Sequence, residues 1–206
     1  MAHRSPGRRL TGRRWEHRAL NWLEWPANLG VGNVLWFVFS LPVVTWLTAA
    51  VAMTHALERW LGAGDGRVMH NFWEGWKLHW RRTLPIGVVS TVVLAILLLN
   101  ALFLATRDDR SALVLLPPTL VLLAAWLMFH LALIPVIALF PALPPRTWLR
   151  EAAVLAIRHP LTSLINASLA AALVAALVWL PTLVPFVSAA PVGFVALRTV
   201  ERHLEP

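Results

Sequence analysis

Four stretches of the chain carry no Asp, Glu, Lys or Arg: residues 25–57, 83–106, 111–145 and 159–197, which are 33, 24, 35 and 39 residues long. Polar positions collect between them. A helix needs roughly 20 apolar residues to cross a hydrocarbon core about 30 Å thick, so each stretch predicts at least one crossing. The pattern predicts an all-α fold, a polytopic helical membrane protein whose main partner is the lipid bilayer.

Charge between the windows sets the number of crossings. The tail 1–20 holds six Arg and one Glu, and 58–82 holds Arg59, Arg67, Lys77, Arg81 and Arg82 against Glu58, Asp65 and Glu74. Both flanks belong in the cytoplasm by the positive-inside rule. A single helix over 25–57 would put them on opposite sides; Pro42, which has no N–H and clashes with the preceding turn, supplies a break that returns the chain. This predicts a hairpin with spans at about 21–41 and 43–61. A third span covers about 84–106 and ends at Arg107-Asp108-Asp109-Arg110. A fourth covers about 112–141, kinked by Pro117, Pro118 and Pro135. Arg146, Arg150 and Arg158 make 145–160 a second cytoplasmic loop. The last window, with Pro181, Pro185 and Pro191, divides into spans at about 161–180 and 184–200. Six transmembrane helices result, with N- and C-termini cytoplasmic; a single kinked last span would give five. The domain reading is a basic cytoplasmic tail, 1–20, retained as an uncleaved start, and one transmembrane helical domain, 21–206.

Residues 70–82 differ from the spans. Phe72, Trp73, Trp76 and Trp80 recur at helical spacing, while Glu74, Lys77, Arg81 and Arg82 fall elsewhere on the wheel. This predicts one interfacial amphipathic helix with its tryptophans at headgroup level. The same face also suits a partner subunit's groove. Within the spans, Asn33, Ser40, His55, Ser90, Asn100, His130 and Asn166 are the polar exceptions, and Asn33, Asn100, His130 and Asn166 form a possible intramembrane polar site. His130 lies near the middle of its span. One interhelical hydrogen bond would satisfy it as structural glue, and the asparagines can act likewise. His70 and His79 are read as surface positions, nine residues apart. Ala167, Ala171 and Ala175 place small residues on one face for close helix packing.

Composition narrows the chemistry. Apolar residues make up 58% and charged residues 14% of the 206, against roughly 25% charged in soluble domains. The net charge of +8 fits basic loops beside membrane spans, so no nucleic-acid partner is implied. With no Cys, disulfides and thiolate chemistry are excluded. No GxxxxGK[ST] loop, HExxH helix or Gly-x-Ser-x-Gly elbow occurs, which predicts a non-enzymatic protein with no catalytic, metal or cofactor residues. Ala-, Leu-, Val- and Arg-rich usage with one Lys points to a GC-rich bacterium and its cytoplasmic membrane.

The run Asn33-Val34-Leu35-Trp36-Phe37-Val38-Phe39-Ser40-Leu41-Pro42-Val43-Val44-Thr45, followed by an Ala-rich span and then Asn71-Phe72-Trp73-Glu74-Gly75-Trp76-Lys77, resembles the YesL family of small bacterial membrane proteins. The resemblance covers roughly 20–106; Trp46-Leu47-Thr48 stands where that family often has Gly-Pro. It implies no catalytic residue. It implies an accessory to carbohydrate ABC-type uptake, with ABC transporter permease subunits as partners. The rival expectation is a small oligomeric transporter or channel built around the polar site.

Overall fold

Proline decides where the first apolar window turns. In a computed structural model, which describes residues 27–107, 109–158 and 160–179, helix α1 (Ala27–Ser40) stops two residues before Pro42. A 3-10 turn, Val43–Thr45, follows and leads into α2 (Trp46–Ala63). The turn predicted at Pro42 is present. Gly64, with φ of 70°, ends α2 in the left-handed conformation that spares glycine a Cβ clash. Its N–H donates to the Trp60 carbonyl, and that of Asp65 to Arg59.

The next helix corrects the sequence reading. Residues 70–82 and 84–106, expected as an interfacial helix and a separate span, form one continuous helix, α3 (Val68–Ala105), 38 residues long with Pro85 inside it. Pro85 removes one donor from the ladder without breaking it. At 1.5 Å per residue α3 is about 57 Å long. Helix α4 (Arg110–Leu139) runs back antiparallel, continuous through Pro117, Pro118 and Pro135. Asp109 caps it, accepting from the Ala112 N–H at 3.0 Å.

A second correction concerns 145–160, expected as a loop. It folds as α5 (Pro145–Arg158) because Trp148 and Ala152, four residues apart, bury one stripe completely. The Trp148 indole donates to the Phe140 carbonyl at 2.8 Å, tying α5 to the end of α4. Helix α6 (Pro160–Trp179) covers the residues expected as a span at 161–180. The tail 1–20, the span expected at 184–200 and the C-terminus lie outside the described residues. All described elements are helical, with no strand among them.

The helices meet through small and polar residues. Along α3 the buried face reads Asn71, Gly75, His79, Thr83, Gly87 and Ser90, whereas Val89, Ile96, Leu99 and Leu102 on its other faces are 60–67% exposed. A Cβ at Gly87 would stand 2.8 Å from the Val44 carbonyl, so only glycine admits that approach. The core divides into a cluster of α2, α4 and α5 around Leu47, Leu133, Ile137 and Trp148 and a cluster of α2 and α3 around Met53, Leu57 and Phe72, with α1 packed on it. α2 lies against residues 68–91 of α3: the Thr48 and Thr83 hydroxyls bond at 2.7 Å, and the Trp46 indole donates to Thr91 at 3.0 Å.

Candidate functional site

His130 is the expected site residue with hydrogen-bond partners at both ring nitrogens. It is 3% exposed. Its Nδ1 lies 2.8 Å from the Trp126 carbonyl, one turn earlier on α4. A carbonyl only accepts, so Nδ1 carries the proton; in the neutral ring Nε2 then accepts from the Ser90 hydroxyl of α3 at 2.8 Å. The ring stacks on Trp126, with centroids 4.0 Å apart, and meets Phe129 edge-on and Trp46 at 5.5 Å. These groups border a cleft of about 460 Å3, lined mainly by Pro85, Ile86, Val89, Val93, Phe129 and Leu149. A serine beside an oriented imidazole has the contact of a nucleophile and its base. Here the orienting partner is a backbone carbonyl, and Ser90 sits mid-helix, so its own N–H serves the helix ladder and not an oxyanion. The bond joins α3 to α4.

The other expected site residues lie elsewhere. Asn100 donates to Thr119 at 3.1 Å near the far end of α3 and α4. Asn33 is buried on α1, next to Gly32, whose Cβ position faces Met53 and Val68. Asn166 is buried on α6 beside Ala167, which packs against Leu131. The four residues therefore occupy separate helix contacts instead of one cavity.

The aromatic segment splits by face. Phe72, expected on the outer face, is 1% exposed and packs with Phe39 and Trp76, their centroids 5.4 and 6.4 Å away. Trp73 and Trp80 face outward, 44% and 40% exposed, with Lys77 over the Trp73 ring and Arg81 over the Trp80 ring. Arg82 donates to the Pro141 carbonyl at 3.1 Å, placing the turn after α4 at the level of the α3 cations.

Sequence reasoning missed His79. Read as a surface position, it is buried between helices: 1% exposed, with Nδ1 donating to the Gly75 carbonyl at 2.8 Å and its ring 6.0 Å from that of His55. Its Nε2 and the Nδ1 of His55 are buried beside the Ile137 and Ala138 backbone of α4 without a well-formed hydrogen bond. The signal that could have found it is the four-residue recurrence Asn71, Gly75, His79, Thr83, Gly87, a small and polar stripe on one helix face. Two imidazoles are too few for a closed metal site; among the described residues no group of three or more His, Asp or Glu converges.

Charges gather at the α2–α3 turn. Asp65 accepts from the Arg67 side chain at 3.0 and 3.1 Å and from its N–H at 3.2 Å, which holds its carboxyl well below the usual carboxylate range. Arg59 reaches both Asp65 and Glu74, and His70 contacts Glu74 at 3.1 Å.

No curated protein and no solved structure matches the chain. Residues 29–101 match a family described as "Protein of unknown function, DUF624", a stretch that takes in α1, α2, the His55–His79 contact and nearly all of α3, and stops short of His130.

Proposed function

We propose that the chain is an integral protein of a bacterial cytoplasmic membrane and a non-enzymatic accessory to carbohydrate ABC-type uptake. Two helices, α3 and α4, are long and apolar enough to cross a membrane. Their exposure argues against the core of a soluble protein: only 11% of the most apolar window of α3 and 39% of that of α4 is buried. Small and polar groups inside with large apolar groups outside is the arrangement lipid favours. α6 crosses with them in this reading, and the α2–α3 turn faces the cytoplasm with α5.

The observation that carries the accessory reading is how the polar groups are used. His130 with Ser90, Asn100 with Thr119, Thr48 with Thr83 and Trp46 with Thr91 are paired helix to helix. A transporter or channel, the rival reading, needs such groups around one solvent-reached cavity, and the cleft beside His130 is lined chiefly by apolar side chains. The match to residues 29–101 is to a family of unknown function, and the uptake partner is inferred from the YesL resemblance alone. In this reading Trp73 and Lys77, exposed above the cation pair Arg81–Arg82, meet an ABC permease subunit. Recovery of the chain from native membranes in mild detergent is expected to bring permease subunits with it. The Trp73→Ala, Lys77→Ala double variant is expected to lose them while remaining in the membrane. Recovery of the chain alone, together with solute flux in liposomes, would favour the transporter.

A further inference from the structure

We infer that the tip of the α1–α2 hairpin, residues 41–47, is a re-entrant wedge that dips into one leaflet of the bilayer from the cytoplasmic side without crossing it, while the rest of both helices lies beside the part of α3 before Arg82. The inference rests on the membrane reading of α3 and α4. The register of the hairpin against α3 sets its depth. Arg59 pairs with Glu74 at 3.0 Å, the Gly75 Cβ position lies 3.0 Å from the His55 ring, Thr48 bonds Thr83, and the tip meets α3 at Gly87 through the Val44 carbonyl and at Thr91 through the Trp46 indole.

Distances along α3 then follow at 1.5 Å per residue. Exposed Lys77, Arg81 and Arg82, with Trp73 and Trp80, mark the water side, and Arg107 marks the other. Gly87 and Thr91 lie about 8 and 14 Å past Arg82 and about 30 and 24 Å short of Arg107. Half a hydrocarbon core is about 15 Å. The tip therefore stops within the near leaflet, and two full crossings beside 84–106 do not fit this packing.

The surface of the tip suits lipid. Leu41, Val43 and Val44 are 63%, 64% and 40% exposed, at the depth of exposed Val88 and Val89, so the apolar face of the wedge continues that of α3. No charged residue occurs between 25 and 57. Irregular backbone at membrane depth must have its polar groups satisfied inside the protein. The Leu41 N–H donates to Val38 and that of Thr45 to Pro42, Pro42 has no N–H, and the Thr45 hydroxyl donates to the Phe39 carbonyl.

The chain has no Cys, so single cysteines report position without background. The variants are Val43→Cys at the tip, Ala63→Cys at the α2–α3 turn and Ser111→Cys at the start of α4, each probed with a membrane-impermeant maleimide in sealed vesicles of known orientation. The expected result is labelling of Ala63→Cys and Ser111→Cys from opposite faces. Val43→Cys is expected to label from neither face until detergent is added, and a nitroxide there should be relaxed more strongly by oxygen than by a water-soluble nickel chelate. Labelling of Val43→Cys from the Ser111→Cys face would establish a crossing hairpin and overturn the wedge. Labelling from the Ala63→Cys face would place the tip in water and overturn it equally. If Ala63→Cys and Ser111→Cys share one face, the membrane reading of α3 itself fails.

Discussion

At the scale of single residues, the two buried histidines of α3 and α4 show what decides the role of an imidazole packed between helices. His130 has both nitrogens engaged, while His79 has one. An interhelical bond of the first kind contributes about 0.6–1.7 kcal/mol in a membrane protein. A double-mutant cycle of Ser90→Ala and His130→Phe, followed by unfolding in mixed micelles, should give a coupling in that range. Additivity within about 0.3 kcal/mol would mean that the bond contributes nothing. Asp65 gives a different test. Its folded pKa is depressed by Arg67, so the stability it contributes is complete above the unfolded carboxylate pKa, about 3.9, and is lost as pH falls through the lower folded value. Asp65→Asn should flatten the acid limb of a stability–pH profile and leave the region from pH 5 to 8 parallel to the parent. His130 was legible as glue because it stands alone in an uncharged span. His79 was not, because its sequence neighbours Lys77, Arg81 and Arg82 suggested a wet surface, and only packing shows that they point away from it.

Helices and turns follow from local rules more closely than from their expected roles. Pro42, Gly64 and Asp109 each end or begin a helix where their backbone chemistry dictates. The join between 70–82 and 84–106 was not legible, because a change from charged to apolar exposure along one helix looks the same in sequence as a boundary between two. The glycines separate these local and tertiary demands. A Cβ at Gly30 meets nothing within 4 Å, whereas one at Gly87 meets backbone at 2.8 Å. Gly30→Ala should therefore stabilise the protein by about 0.5–1 kcal/mol through the lower entropy of the unfolded chain. Gly87→Ala should destabilise it by about 1–3 kcal/mol by forcing the hairpin off α3. Thermal unfolding of both variants in detergent checks the opposite signs; equal shifts would mean that the contact with Val44 is not made.

For the molecule as a whole, the described helices stack unevenly. α1, α2, α5 and the facing halves of α3 and α4 enclose the two larger clusters, while α3 beyond Thr91 has only Leu104 buried. That uneven cover, with Val, Leu and Ile facing outward, suits a solvent of lipid tails better than water. Reporters fused after residues 20 and 66 are expected to read out on the same, cytoplasmic side. Opposite readings would break both the hairpin reading and the wedge, since either returns the chain to the compartment it left. Depth at residue 43 then separates the two, as the cysteine experiment does.

Sequence alone determined the helical class, the turn at Pro42 and the antiparallel return after Arg107, because proline geometry and the absence of charge act within a few residues. Only the tertiary structure decided that 70–82 continues into the next helix, that 145–158 coils around a buried tryptophan, that Phe72 and His79 turn inward, and that the hairpin stops at Gly87. Those outcomes depend on which side chains meet across helices: a threonine pair and two glycines set the register of α2 on α3, and no periodicity within either segment encodes where along its partner a helix will lie.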